Sequence, residues 1–398
     1  MHSVNIPELW TLILAVLAIR LGLIVHAVLP RLQTWNIPPA ITGGLLIAAG
    51  ITVVRSLYGI ELVFASGIRN VLLLVFFVGV GLSAKFGALL RGGLGVAVVC
   101  LAIVVAILTQ NLVGVTVARL FGLDLALGLF MGSIAFLGGH GTAAAWSQTA
   151  GIPGALEVGM ACATLGLIAG GLVAGPVSSW LAKRHLAEAG GTASADPASG
   201  INLAPHATTA ELLSSDRWLI VVLIVAACLG LGELLRQWSA DRGWVVPGFL
   251  AVMVVAILIT NGAELLRRPV DLIVADLTGT VALRLFLAIS MMGLKFWELT
   301  DLLLPLLLAV LLQVAAIVAI ALLLVFTLLG RGYNGAVAVG GFIGFSLGAM
   351  PVGLGVMRRV TDTFGAAPKA FLVITLAAAL FADTANAVLV NLGLAWLK

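Results

Sequence analysis

The stretch "LALGLFMGSIAFLGGHGTAAAWSQTAGIPGALE", residues 125 to 157, decides how the chain is read. Its apolar opening, Leu125 to Leu137, is 13 residues long, short of the roughly 20 that a helix needs to cross a bilayer. Three glycines and a histidine follow at once: Gly138, Gly139, His140 and Gly141. That length with that punctuation predicts a re-entrant segment. A half-helix would enter the membrane, break at Gly138 to Gly141, and return through Thr142 to Thr149 to the side it left. Irregular backbone at such depth persists only where it is buried in protein or lines a watery cavity. Glycines there free backbone N–H and C=O groups and let a ligand approach closely.

The surrounding chain makes a membrane setting unavoidable. Of 398 residues, 62% are hydrophobic and 10% charged, far from the composition of soluble domains. At least ten apolar stretches approach or exceed spanning length, so the fold class expected is an all-α polytopic membrane protein. A barrel would instead alternate polar and apolar residues over short strands. The crossings fall near residues 9 to 29, 39 to 54, 70 to 84, 94 to 118 and 158 to 181, then 218 to 235, 245 to 262, 277 to 294, 302 to 329 and 370 to 396. Between the two sets, Lys183 to Arg217 is polar and rich in Ala, Gly, Ser and Pro, which reads as a linker. The domains expected are therefore 1–182, a linker at 183–217, and 218–398.

The halves resemble each other. "GVGLSAKFGALL" at 79 to 90 parallels "SMMGLKFWELTDLL" at 290 to 303, and each precedes a long helix and a glycine-punctuated stretch. With five crossings per half, the second half enters from the opposite side, the inverted-repeat arrangement of secondary transporters. With the N-terminus outside, twelve Lys and Arg fall on the cytoplasmic side against seven outside. This places both termini outside and the linker inside. Trp10, Trp35, Trp180, Trp218, Trp244, Trp297 and Trp396 sit near helix ends, as an interfacial belt requires; Trp146 does not. The N-terminal segment has no basic n-region or small-residue cleavage signal, so the first helix is expected to be retained. Cys100, Cys162 and Cys228 lie in apolar stretches and read as small buried side chains. The modest net charge of +4, spread over loops, argues against a nucleic-acid surface.

A second broken segment is expected in "YNGAVAVGGFIGFSLGAMPVGLGVMRRV", residues 333 to 360, with Gly344, Ser346, Gly348 and Pro351 as the breaking residues. The hairpins are expected over about 125–150 and 333–357, entering from opposite faces and meeting near the midplane. Half-helix N-termini there present N–H donors to a carboxylate, and freed carbonyls suit a sodium ion. The competing reading makes these glycines close helix-packing sites. Thr142 and Ser346 are hydroxyls at the two tips, suited to an anion or to a sodium shell.

The last crossing carries "LFADTANAVLVNLG". Asp383 lies 14 residues beyond Lys369, roughly 20 Å along a helix, and an acid at that depth is a functional candidate. Asn386, three residues on, shares its face. The pair reads as a cation site, against the alternative of an ion pair with Arg284. Arg284 and Arg20 read as snorkelling side chains, and Gln110, Asn111 and Gln313 as interhelical hydrogen-bonding groups. Glu157 either favours a helix N-terminus or joins the site. His140 either grips a carboxylate, couples protons, or pins the hairpin. No HExxH, Walker loop or nucleophile elbow occurs, so an enzyme is not expected. The polar residues cluster rather than line a pore, which disfavours a channel.

The pieces "GGHGTAAAW", "EVGMACATLGLIAGGLVAGPV", "MMGLKFWEL", "GFSLGAMPVGLGVM" and "FADTANA" resemble the bacterial sodium/glutamate symporter family, in its order and across nearly the whole chain. The resemblance implies inward symport of L-glutamate with Na+ across the inner membrane, by inverted five-helix repeats with two re-entrant loops. It also implies a fold related to the 2-hydroxycarboxylate symporters, a homodimer, and an elevator-like motion. The family's first pore loop maps onto Gly138, Gly139, His140, Gly141 and Thr142; the second maps onto Phe345, Ser346, Leu347, Gly348 and Ala349. The family pattern has glycine where Ser346 stands, and Arg284 has no counterpart. On this reading the substrate contacts are the first loop with Ser346, Gly348, Ala349 and Asn386, while Asp383, Asn386, Thr142 and Ser346 hold sodium. The alternative cargo is another dicarboxylate or organic anion, such as aspartate, citrate or malate, coupled to sodium or protons.

Overall fold

The computed structural model describes residues 2–34, 37–87, 93–188, 215–242, 246–267, 270, 272–295, 297 and 302–397. The linker centre at 189–214, Arg91, Arg268, Lys398, Trp35, Trp244 and parts of the repeated signature (88–90, 296 and 298–301) lie outside these residues.

Among the described residues, ten helical spans are long and apolar enough to cross a membrane, one at each position expected. They are α1 (Glu8–Val28), α2 (Pro39–Tyr58), α3 (Ser66–Ser83), α4 (Gly93–Leu120) and α7 (Ala155–Glu188) in the first half. The second half has α8 (Ser215–Ala240), α9 (Gly248–Leu265), α10 (Leu272–Met292), α11 (Leu303–Ile320, continuing as π-helix to Phe326) and a last span. That last span is composite: α14 (Pro368–Ala377), a π-helical stretch Ala378–Ala382, and α15 (Asp383–Leu397). Shorter helices intervene: α5 (Leu125–Phe130) and α6 (Gly139–Ala150) before α7, then α12 (Tyr333–Leu347) and α13 (Met350–Phe364) before α14. The chain is thus a multi-pass helical membrane protein. The described helices α7 and α8 reach into the segment read as linker, from Lys183 to Glu188 and from Ser215 to Arg217.

Two compact units form, and each draws on both halves. One holds α1 to α3 with α8 to α10. Glycines bring its backbones together: Gly79 and Gly279 face each other at the α3–α10 crossing, where a Cβ on Gly79 would lie 3.4 Å from the Gly279 Cα. Such small-residue contacts are how membrane helices gain dispersion energy without a hydrophobic drive between them. Strand β1 (His2–Ile6) pairs in parallel with β2 (Ile60–Phe64), a small sheet that the sequence reading did not anticipate. Lys295 Nζ lies 3.2 Å from Glu61 Oε1. Asn261, near the end of α9, closes the end of α3, donating to the Ala84 carbonyl at 2.8 Å and accepting from the Phe86 N–H at 2.9 Å. Arg284 is exposed on α10, as a snorkelling side chain would be.

The second unit holds α4 to α7 with α11 to α15. Its helices α12 and α13 form a closed hairpin. The Tyr333 hydroxyl at the start of α12 donates to the Gly365 carbonyl after α13, and a Cβ on Gly344 would come within 2.7 Å of the Gly353 Cα. The return limb runs on to Phe364, past the expected end at 357. Long helix α7 backs both short pairs: Gly159 packs on Ala143 of α6, and Gly170 packs on Leu347 of α12. Trp146 is buried at 1% exposure, so it belongs to this core and not to an interfacial belt. The cysteines are unpaired; Cys162 and Cys228 are buried and Cys100 is half-buried.

Candidate functional site

Each chain break overlaps the expected position only in part, including Gly138 in the first and Gly348 in the second. The first was expected at Gly138 to Gly141. Instead α5 stops at Phe130, turns occupy Met131 to Gly138, and Gly139, His140 and Gly141 form the first turn of α6. Turn bonds organise the gap, with Phe136 N donating to Gly132 O at 3.2 Å and Gly138 N to Ser133 O at 2.9 Å. Gly139 takes φ +70°, a conformation that costs a residue with a Cβ about 1–2 kcal/mol. In the second, Gly344 and Ser346 do not interrupt the helix, because α12 runs unbroken to Leu347. The break is confined to Gly348 and Ala349. Pro351 opens α13 rather than breaking a helix, at a position where a missing N–H costs nothing.

The two breaks meet. A Cβ on Gly139 would sit 3.4 Å from the Gly348 carbonyl oxygen. Helices α6 and α13 both begin at this point, neither with a side-chain cap, so first-turn N–H groups and the positive ends of two helices are available to an anion. Helix α12 ends there at Leu347, which supplies carbonyl oxygens of opposite polarity.

Long-range side chains hold these irregular backbones. Asn386 of α15, fully buried, grips Ser133 twice: its Oδ1 accepts from the Ser133 hydroxyl at 2.7 Å and its Nδ2 donates to the Ser133 carbonyl at 3.1 Å. A Cβ on Gly138 would lie only 2.7 Å from the Asn386 Nδ2, so Gly138 is small because the amide passes there. The Ser133 N–H donates to Asn111 Oδ1 at 3.0 Å. Gln110 Nε2 donates to the Ser346 carbonyl at 2.8 Å. Gln313 Nε2 donates to the Gln110 carbonyl at 2.8 Å and to the Met131 carbonyl at 2.9 Å. The three amide side chains read as interhelical hydrogen-bonding groups therefore are such groups, and their bonds reach residues at or beside the breaks.

His140 is buried in α6 with Nε2 3.0 Å from the Thr164 hydroxyl of α7. That hydroxyl donates its proton to the Met160 carbonyl at 2.8 Å, so His140 must be the donor, protonated on Nε2. This geometry is that of a pinning histidine. Thr142 closes the first turn of α6 and is buried. Ser346 is fully buried, and among the described residues its Oγ has no hydrogen-bond partner, as is true of Gln110 Oε1 and Gln313 Oε1. Ala349 caps α13 in extended conformation. Glu157 lies in the first turn of α7, buried.

Asp383 follows directly on the π-helical stretch Ala378–Ala382, a type of helix defect frequent at functional sites. It is half-buried one turn before Asn386. Among the described residues no hydrogen bond or ion pair engages its carboxylate, and none joins it to the hairpin tips. Ser133 and Thr164 were not singled out from the sequence. A lone serine or threonine in an apolar run is too common to stand out, and their importance comes from partners 253 and 24 residues away.

Comparison with known proteins places this arrangement. Residues 4–366 match the family model described as sodium/glutamate symporter. The sodium/glutamate symporter of Escherichia coli (strain K12) is 35% identical over 395 residues, covering 98% of this chain and 97% of that protein. The sodium/glutamate symporter of Haemophilus influenzae is 32% identical over 391 residues, covering 97% and 96%. The chain therefore belongs to the sodium/glutamate symporter family.

Proposed function

We propose that this protein carries L-glutamate inward across the bacterial inner membrane together with sodium, by alternating access. The observation that carries the reading is the meeting of the two breaks, with Gly139 against the Gly348 carbonyl and two uncapped helix starts at one point, in a chain whose relatives are named for this transport. Glutamate brings two carboxylates and an ammonium, and each charge left unmet in a low-dielectric pocket costs several kcal/mol. First-turn N–H groups from Gly139 to Gly141 and at Met350, with the hydroxyls of Thr142 and Ser346, serve the carboxylates. Gly138, Gly348 and Ala349 let the backbone come close. Asp383, with carbonyls from the breaks, meets sodium and the ammonium. Because Asn386 Oδ1 already accepts from Ser133, its share in sodium binding is limited to its second lone pair. His140 acts by fixing α6 against α7.

The broken pairs are read as re-entrant hairpins of two inverted repeats, 1–182 and 218–398. Supporting this, each unit takes corresponding helices from both halves, and the Tyr333 to Gly365 bond returns α13 to the level where α12 began. The Asn261 bonds that join the ends of α3 and α9, and the Glu61–Lys295 pair, fit strict alternation of spans. With ten alternating spans both termini share one side, and the excess of Lys and Arg on the linker side assigns the linker to the cytoplasm and the termini to the periplasm. The unit with the breaks is proposed to move with its cargo as in an elevator, in a homodimer. Sodium offsets the net negative charge of glutamate, so the loaded form crosses more readily than the half-loaded one, a difference in state stabilities.

One feature favours a second reading, transport of a hydroxy dicarboxylate such as malate or citrate: the Ser346 hydroxyl is buried without a hydrogen-bond partner among the described residues, free to serve a hydroxyl that glutamate lacks. Uptake of labelled glutamate into proteoliposomes, challenged with a panel of unlabelled anions, separates the two. Glutamate as the strongest competitor supports the first reading; malate or citrate outcompeting it supports the second.

A further inference from the structure

The amide bonds at the breaks have a reciprocal pattern. Gln110, on α4 of the first half, donates to Ser346 beside the second-half break. Gln313, on α11 of the second half, donates to Met131 at the first-half break. Its other bond goes to the Gln110 carbonyl. One chain of hydrogen bonds therefore runs from Met131 through Gln313 and Gln110 to Ser346. All three acceptors are carbonyl oxygens, so the amide nitrogens must face them. Both glutamines are fully buried, where an amide bond to a carbonyl is held without competition from water. Met131 follows the last residue of α5 and Ser346 is in the last turn of α12, positions whose carbonyls lack helical N–H partners.

We infer that Gln110 and Gln313 are positioning residues that hold the two breaks in register, so that a ligand ordering one break also orders the other. Neither needs to touch cargo. Each fixes a carbonyl at the end of one short helix, and through it the start of the next short helix, where N–H groups are proposed to meet the substrate. Binding of sodium and of glutamate at the breaks is coupled through this pair. The inference rests on the sodium–glutamate reading above and names the residues through which its coupling acts.

The test compares purified wild type with Gln110→Met, Gln313→Met and the double variant, measuring glutamate binding over a sodium series. The wild type is expected to bind glutamate more tightly as sodium rises. In each single variant, the sodium concentration for half-maximal effect should rise at least about fivefold, the lower end of coupling between sites. The double variant should be no worse than the worse single one, because the chain is already cut. An unshifted sodium dependence, or losses that add in the double variant, would overturn the inference. Hydrogen exchange gives a readout independent of binding. Gln313→Met should raise exchange at 345–350, a segment to which Gln313 makes no hydrogen bond, and unchanged exchange there counts against the relay. Should the methionine variants fail to accumulate, near-isosteric glutamates replace them. A protonated carboxyl has one donor, enough for Gln110 but not for the two bonds of Gln313. Gln110→Glu should then shift sodium dependence less than Gln313→Glu, and the reverse order overturns the inference. A wild type whose glutamate binding ignores sodium removes the symport reading and this inference together; intact wild-type coupling with unshifted variants removes the inference alone.

Discussion

Asp383 sits where a carboxylate is expensive unless something meets its charge: half-buried in a spanning helix, directly after a π-helical stretch, with no partner among the described residues. Proposed as a sodium ligand, it gives a direct expectation. Asp383→Asn keeps the shape and removes the charge, so sodium-driven uptake should fall at least tenfold or need much more sodium; unaltered kinetics would remove the role. Asn386 makes a different kind of prediction. Its two bonds to Ser133 are structural, so Asn386→Leu strands a buried carbonyl and hydroxyl and should cost about 1–3 kcal/mol of stability, read as a lower unfolding temperature in detergent. Asp383 could be found from sequence because an acid in an apolar run is conspicuous. Ser133 could not, since its significance is conferred by Asn386 from the far end of the chain.

The ten spans were legible because bilayer thickness fixes how long an apolar run must be. The segment expected at 94 to 118 is α4 at Gly93–Leu120, and the one at 39 to 54 is α2 at Pro39–Tyr58. Where the short helices break was legible only in part, at Gly138 and Gly348. Glycine permits a break without requiring one: Gly344 stays helical since it is the contact with Gly353, and Gly139 opens α6 instead of interrupting it. The first break falls at Met131 to Gly138 because Gln313, Asn111 and Asn386 supply bonds there, information held by three other helices. Gly344→Leu should therefore destabilise by packing, about 1–3 kcal/mol or more from overfilling. Gly139→Ala should act mainly through backbone strain of about 1–2 kcal/mol at its positive φ. Thermal unfolding beside uptake separates the effects: a Gly344→Leu protein as stable as wild type would show that α12 and α13 are not held at this contact.

Across the whole molecule, composition revealed a polytopic helical protein, and the ordered motifs revealed the family. The assembly of each unit from both halves was invisible, because no local pattern records which helices pack together across 200 residues. The proposed topology predicts that a fluorescent protein inserted in the linker near 200 glows in the cytoplasm, whereas an alkaline phosphatase fused after Lys398 is active in the periplasm; the opposite pattern would invert the orientation. The central claim is that sodium drives glutamate through the paired breaks. Its most direct test is reconstitution in liposomes with labelled glutamate outside and an inward sodium gradient. The account predicts accumulation above the equilibrium level that collapses when the gradient is dissipated. Uptake of the same extent with potassium in place of sodium would contradict it.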